Sequence, residues 1–122
     1  MIFSDRGGGK FVKKTEREIA PAWLALEEER IKTLVSPKVY QRGEEYYEGG
    51  HVTQPTLEGQ VLRATVTGAE AYDTQVMTNP SGQLSSFCTC PFVREPFCKH
   101  AIAVLLQWVR RPESFTQGGQ GE

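Results

Sequence analysis

Three cysteines and one histidine lie within thirteen residues of this chain, as Cys-x-Cys at 88–90 and Cys-x-His at 98–100. Three thiolates and one imidazole are a common ligand set for a structural Zn²⁺ ion. The chain has three cysteines in total, so every cysteine belongs to the cluster. We therefore predict that zinc is the cofactor and that its ligands are Cys88, Cys90, Cys98 and His100.

Two other interpretations of the cysteines explain the pattern less well. A disulfide would leave one thiol unpaired, and a bridge between Cys88 and Cys90 would close a small, strained ring. Cysteines that only fill a core would not need to cluster beside a histidine. Because four protein ligands complete a tetrahedral shell, we expect a structural ion and no enzymatic activity. Glu95 lacks the His-x-Glu arrangement of zinc deaminases and is interpreted as a solvated loop charge.

The spacing of the ligands restricts the elements that carry them. Residues two apart in a strand or a helix point in different directions, so each pair must lie where regular structure ends or begins. Cys88 and Cys90 require a turn at a strand end, which Pro91 favours. Cys98 must lie at or just before the first turn of a helix that contains His100, where the helix N-terminus stabilises a thiolate.

Helix signals occur at three places along the chain. Proline at the start and an apolar face predict a first helix over residues 21–33. Ser36 as N-cap, Pro37 in the first turn and glycines at 49–50 predict a second. A third helix is predicted from about Cys98 to residue 109 and ends before Pro112.

Alternating apolar residues between these helices predict short strands. The segment 52–56 reads as an edge strand that is weakened by Pro55. Residues 61–67 and 71–77 form a predicted hairpin, and 84–88 is a further strand that delivers Cys88. The fold class is therefore α+β: N-terminal helices, an antiparallel sheet of three to four short strands, and a C-terminal helix after the Cys-x-His pair.

The same patterns divide the chain into three parts. We expect an N-terminal extension with one helix at 1–35, a zinc-stapled domain at 36–111 and a disordered tail at 112–122. The sequence has no long apolar run and no apolar N-terminal signal, and free thiolates suit a reducing compartment. These features predict a cytoplasmic, intracellular protein without a membrane partner.

The pattern Cys-x-Cys, a seven-residue loop and Cys-x-His resembles the SWIM zinc finger family. Residues 42–52 are similar to that family's glycine and tyrosine helix, 64–68 with Tyr72 to its strand pair, and 98–106 to its closing helix. The resemblance covers about residues 38–110. It implies a small α+β fold around one structural zinc ion, a role in DNA binding or protein–protein interaction, and a partner such as a helicase or recombination factor.

Charge is distributed unevenly along the sequence. The net charge of −1 gives no overall attraction to nucleic acid, but residues 85–112 contain four Lys/Arg and one acid, and residues 1–20 contain five and three. We predict that the zinc-side cations contact phosphates weakly, because few counterions would be released. Phe92 and Phe97 are candidates for contacts with a partner or with bases. The predicted nucleic-acid contacts are Arg94, Lys99, Arg110 and Arg111.

These observations favour a zinc-binding adaptor that is associated with nucleic-acid enzymes and has weak direct DNA contact. The alternative is a pure protein-interaction module without DNA contact, and a thiol or zinc sensor is less favoured. No small-molecule substrate is expected. In the protein-interaction alternative an exposed apolar patch forms the interface, and the candidate residues of that patch are Trp23, Tyr40, Phe92 and Phe97.

Overall fold

A computed structural model of the chain describes residues 19–91 and 95–117. Within these residues three α-helices are followed by a four-strand meander, a fourth α-helix and a short fifth strand. The predicted contacts at Phe92 and Arg94, and the basic arm up to residue 18, lie outside the described residues. In chain order the elements are α1 (Pro21–Ala25), α2 (Glu28–Leu34), α3 (Pro37–Glu48), β1 (Val52–Glu58), β2 (Val61–Thr67), β3 (Ala71–Thr78), β4 (Leu84–Cys88), α4 (Lys99–Arg110), a 3₁₀ helix (Pro112–Ser114) and β5 (Thr116–Gln117).

The sheet has the strand order β4-β3-β2-β1-β5. Strands β1 to β4 pair antiparallel with their neighbours in sequence, and β5 adds two residues parallel to β1. In β2 the side chains of Leu62, Ala64 and Val66 are buried while Arg63 and Thr67 are exposed. This alternation confirms the predicted α+β class, because one sheet face packs on the helices and the other is open.

Strand β1 is longer than the predicted segment 52–56, because a bulge accommodates its proline. The register with β2 shifts between Thr53 and Thr56, and Gln54 takes a positive φ of 53°. Proline has no N–H to give to the ladder, so the irregularity lies where pairing would fail. Beyond it, pairing resumes as far as Glu58.

The predicted single helix over 21–33 is wrong, since the chain is extended at Leu26 and Glu27 and forms α1 and α2 on either side. In one continuous helix Leu24 and Ile31 would share a face, because seven residues make about two turns. The break instead turns Trp23 towards the core, where it is 1% exposed, and leaves Leu24 53% exposed.

The helical part of the predicted extension belongs to the same core as the rest of the protein. Trp23 and Ile31 are buried, and the Trp108 indole N–H donates to the Trp23 carbonyl at 2.8 Å. Residues 112–117 of the predicted disordered tail form the 3₁₀ helix and β5, and Phe115 packs edge-on against Trp108. The boundaries at 35 and 112 therefore do not separate packed units.

Helix α3 has the predicted caps. The Ser36 hydroxyl accepts a hydrogen bond from the Val39 N–H, Gly49 caps the C-terminus and Gly50 has a φ of +77°. Helix α4 contacts all four antiparallel strands and crosses α3. It is apolar nearly all round, and eight of its residues are buried, so it is the central helix of the core.

None of the described helices is long and apolar enough to cross a membrane.

Candidate metal centre

The end of β4 supplies the first two ligands. Cys88 is the last residue of the strand, and its Sγ lies 3.3 Å from the Thr74 hydroxyl on the adjacent strand β3. Pairing continues for one residue, since the Thr89 N–H donates to Asp73 O and the Asp73 N–H donates to Thr89 Oγ1, both at 3.1 Å. The chain then bends, which brings Cys90 to the same side as Cys88 and confirms the predicted turn.

The start of α4 supplies the other two ligands. Cys98 is the N-cap residue, with an extended backbone, and His100 is the second residue of the helix. The hydrogen bond with Cys88 and burial raise the pKa of the Cys98 thiol, and the Ala101 N–H in the first turn of the helix acts in the opposite direction. The predicted placement of both residues at the helix N-terminus is therefore confirmed.

The four ligand atoms fit one zinc ion. They all lie within 4.8 Å of one another, and the three cysteines are free thiols. His100 Nδ1 is 3.6 Å from Cys88 Sγ and 3.8 Å from Cys98 Sγ. Tetrahedral bonds of about 2.3 Å to sulfur and about 2.0–2.1 Å to nitrogen place these atoms about 3.6 Å apart. Cys88, Cys90, Cys98 and His100 are therefore positioned to bind zinc, and His100 presents Nδ1 to the sulfurs.

A hydrogen bond joins two of the sulfurs and shifts their pKa values in opposite directions. A hydrogen bond from Cys98 lowers the pKa of Cys88 to about 3, and the same hydrogen bond, together with burial, raises the pKa of Cys98. Zinc ligation requires thiolates, so binding displaces the thiol proton. The ion and three thiolates together carry one net negative charge.

Two tyrosine rings hold the His100 imidazole. The Tyr72 ring stacks on it at a centroid distance of 4.7 Å, and Tyr46 packs edge-on at 5.2 Å. Ligating histidines usually donate their second N–H to a carboxylate or carbonyl. Here His100 Nε2 is buried and has no hydrogen-bond partner among the described residues, so ring packing fixes the imidazole orientation. The sequence did not reveal this, because both tyrosines are distant from His100 along the chain.

A cavity of about 590 Å³ lies directly beside the metal centre. We call it the zinc-side groove. Lys38 and Arg42 of α3 line one side, and Lys99, at the start of α4, places its Nζ 5.1 Å from the centre of the Tyr46 ring. None of these three cations forms an ion pair within residues 19–91 and 95–117. The other lining residues are Ser36, Val39, Tyr46, Ala69, Tyr72, Cys90, Pro91, Glu95, Cys98 and His100.

The sequence predicts that Glu95 is a solvated loop charge, and this prediction is wrong. Glu95 instead connects the zinc loop to the start of α3. Its carboxylate accepts the Ser36 N–H at 2.8 Å and the Ser36 hydroxyl at 3.0 Å. A carboxylate at this position also interacts favourably with the N-terminal end of α3. Glu95 thus holds the zinc loop against the helix that carries Lys38 and Arg42.

The predicted nucleic-acid contacts do not form one surface in the described part of the chain. Lys99 lies in the zinc-side groove, whereas Arg110 is paired with Glu28 at 2.7 Å and Glu44 at 2.9 Å. Arg111 lies 3.5 Å from a glutamate oxygen two residues later. Sequence reasoning missed Lys38 and Arg42, whose i, i+4 spacing on α3 was the available signal. Phosphate contact by the four named residues stays a prediction.

The apolar patch of the alternative interpretation is only partly available. Trp23 and Phe97 are buried, at 1% and 4% exposure, so neither can present an interface as the sequence predicts. Tyr40 is partly buried against the core. The large apolar side chains that the described residues do expose are Leu24 and Phe87, at 53% and 55%.

Comparison with known proteins identifies the motif. Residues 72–108 match the family model of the SWIM zinc finger, and this span contains all four predicted ligands. The match confirms the resemblance at Tyr72, at the ligands and over most of α4, and leaves α3 and residues 64–68 outside it. Searches of curated proteins and of solved structures found no significant match.

Proposed function

We propose that this chain is a zinc-stapled adaptor that docks onto a larger nucleic-acid enzyme, of helicase or recombination type, and contacts nucleic-acid phosphates weakly. The supporting observation is the zinc-side groove, where Lys38, Arg42 and Lys99 have no carboxylate partner among the described residues. Cations left unpaired around a concavity create a positive local field that attracts anions.

The metal has a structural role in this proposal. Four protein ligands leave no open coordination position, which a catalytic zinc ion needs for water or substrate. The ion joins the end of β4 to the start of α4, and so fixes the positions of Lys99 and of the loop that lines the groove. The adaptor is accordingly not an enzyme, and its thiolates suit an intracellular, reducing environment.

Direct affinity for nucleic acid is low in this proposal, because three phosphate contacts release few counterions. The test is a titration of labelled single-stranded and duplex DNA with zinc-loaded protein, over a salt series from about 50 to about 200 mM. We expect binding at low salt that weakens steeply as salt rises and is lost after chelation of the metal. If neither DNA bound at the lowest salt, the nucleic-acid contact in this proposal would be contradicted.

A second candidate is a pure protein-interaction module, which the exposure of Phe87 favours. This side chain is 55% exposed on β4, an outer strand of the sheet, and lies opposite Gln75 on the open face. Exposed aromatic residues on a strand at the sheet edge are typical anchors for a partner. A pull-down from zinc-replete extract with the wild type, Phe87→Asp and Arg42→Glu separates the two. A partner lost only with Phe87→Asp favours protein docking through the sheet.

A further inference from the structure

From the shape and charge of the zinc-side groove we infer that it binds a single strand of nucleic acid rather than a duplex, with phosphates on Lys38, Arg42 and Lys99 and one base against Tyr72. The inference rests on the proposed function and names its ligand.

The walls of the groove make it concave. Helix α3 lies on one side, the turn between β2 and β3 contributes Ala69, and the zinc loop contributes Cys90 and Pro91. A duplex is a stiff, convex cylinder whose phosphates lie outside, so it cannot enter a cavity of about 590 Å³. A flexible single strand can follow a charged groove and place its bases against the wall.

The three cations come from two sides of the groove: Lys38 and Arg42 from α3, and Lys99 from the start of α4. Lys38 and Arg42 are both exposed and lie about one turn apart on α3, which corresponds to about 6 Å of helix rise. This spacing lets them engage different phosphates of one strand. Lys99 approaches from the start of α4, where α3 and α4 are in close contact, since Lys99 O lies 3.0 Å from an ideal Cβ position on Gly43.

The negative groups in the groove do not cancel these charges. The Glu95 carboxylate is already engaged by two hydrogen bonds from Ser36. Zinc with three thiolates contributes one further negative charge, so the three cations outnumber the two negative charges. The remaining surplus is small, which accounts for an affinity that is low and sensitive to salt.

Tyr72 supplies the surface for a base. The ring lines the groove and is half-buried, with one face stacked on His100 at an interplanar angle of 29°. No described ring or cation covers its other face. Stacking of a base on an aromatic side chain is tolerant of sequence, because every base presents a flat π face. We therefore expect strand selectivity without strong base selectivity.

The test compares zinc-loaded wild-type protein with the double variant K38E/R42E by fluorescence anisotropy. The probes are an oligothymidine, a duplex of equal length and an abasic strand of equal length. We expect the wild type to bind oligothymidine at least about tenfold more tightly than duplex, with a logarithmic salt slope of about −2 for three phosphates. The double variant should lose at least about tenfold in affinity. The matched control K32E/R63E reverses two exposed charges outside the groove and should bind like the wild type.

A second comparison tests the base contact separately. The wild type should prefer oligothymidine to the abasic strand, and Tyr72→Leu should remove that preference while Tyr72→Phe retains it. Zinc content, measured in each variant by elemental analysis, excludes a loss that only reflects a damaged metal centre. A preference that persists in a zinc-loaded Tyr72→Leu protein overturns the base contact.

Three results overturn the inference in distinguishable ways. If duplex binds as tightly as the single strand or more tightly, the inferred selectivity for single strands is wrong, but the proposed function still stands. Single-strand binding that is unchanged in K38E/R42E places the contact outside the groove. If K38E/R42E loses its near-UV circular dichroism and so is misfolded, the variant K38Q/R42Q is used in its place. Failure of every nucleic acid to bind, with an acidic peptide binding instead, overturns both the inference and the DNA contact of the proposed function.

Discussion

At the scale of single residues, the metal centre depends on thiol groups that must lose their protons to bind zinc. The hydrogen bond between Cys88 and Cys98 lowers the pKa of Cys88 and, together with burial, raises the pKa of Cys98. Zinc resolves this arrangement by taking both sulfurs as thiolates. Because the four ligands come together only in the folded chain, the free energy of zinc binding contributes to the folding free energy.

Replacement of Cys98 should unfold the metal-linked half of the domain. Structural zinc contributes about 10–16 kcal/mol in small fingers, which matches the whole stability of a typical domain at about 5–15 kcal/mol. We expect Cys98→Ser to lose its zinc, its near-UV circular dichroism and its cooperative thermal transition. Wild-type protein should contain one zinc ion per chain by elemental analysis.

The control for this variant is Ser85→Ala, which changes an exposed residue of β4 and should retain the metal. A Cys98→Ser protein that keeps native near-UV circular dichroism and thermal stability without metal would contradict a structural role for zinc.

At the scale of elements, the crossing of α3 and α4 determines where the groove and the metal centre meet. Gly43 lies at that crossing and is buried. An added Cβ would lie 2.5 Å from Ile102 Cγ2, closer than nonbonded carbon atoms approach, and 3.0 Å from Lys99 O, which is a tight contact. Close helix contact at a glycine lets the backbones approach where a side chain would separate them.

Gly43→Ala should therefore destabilise the protein. Alanine raises helix propensity by up to about 1 kcal/mol, while overpacking of a tight contact costs about 1–3 kcal/mol, so the steric effect dominates. We expect lower unfolding free energy by urea denaturation. The control Gln41→Ala, at an exposed position of the same helix, should be near neutral.

A second background identifies the contact that causes the loss. If the methyl group collides with Ile102, the cost of Gly43→Ala should shrink in an Ile102→Ala protein. An equal cost in both backgrounds would rule out this collision as the cause.

Arg110 joins three helices through one guanidinium. It pairs with Glu28 of α2 at 2.7 Å and with Glu44 and Glu48 of α3 at 2.9 Å and 3.7 Å, and it lies over the Tyr47 ring. Its side chain is 25% exposed, so solvent screens the cluster less than it screens an exposed pair. Arg110, at the C-terminal end of α4, thus stabilises the packing of α2 and α3 against α4.

Arg110→Met should lower the unfolding free energy by about 1 kcal/mol at neutral pH, the upper end for partly exposed ion pairs. The hydrogen bond from Arg110 lowers the pKa of Glu28. A carboxylate whose pKa is lowered in the folded state stabilises the fold fully at pH values above its unfolded-state pKa, about 4.3. This contribution is lost as the pH falls through the folded-state pKa. The difference in unfolding free energy between the wild type and Arg110→Met should therefore become smaller as the pH falls through that acidic range.

The control is Arg111→Met, because the Arg111 side chain is 62% exposed and its ion pair, with Glu113, is 3.5 Å long. A difference between wild type and Arg110→Met that stays constant down to strongly acidic pH would contradict the role of Glu28.

At the scale of the whole molecule, the N-terminal helices and the zinc-bearing segment form one core. Trp23 is buried beneath α4, and its carbonyl accepts the Trp108 indole N–H. We therefore expect a loss of packing at α1 to destabilise α4, the helix that begins at the metal centre.

Trp23→Ala should cost about 3–5 kcal/mol, the usual range for removing a buried tryptophan. Its neighbour Leu24 is 53% exposed, so Leu24→Ala should change stability by less than about 0.5 kcal/mol. Chemical denaturation of both variants with zinc present measures the contrast. Two unfolding transitions in the wild type, with only the first moved by Trp23→Ala, would indicate a separate N-terminal unit instead.

The sequence by itself determined the ligands, the α+β class, the caps of α3 and the bounds of β2 and β4. These features depend on local rules: zinc-ligand chemistry, the period of apolar residues and the capping preference of Ser36 and Gly49. Residues close in the chain carry each signal, and the spacing of Cys88, Cys90, Cys98 and His100 restricts the geometry that can join them.

Only the tertiary structure decided which surfaces these elements share. The break at Leu26, the tether of Glu95 to Ser36 and the pairing of Arg110 with Glu28 each join residues or faces whose relation depends on packing. Tyr72 meets His100, and Lys38 and Arg42 meet Lys99, for the same reason. Burial and charge pairing are properties of the assembled core, since they depend on contacts between positions far apart in the chain.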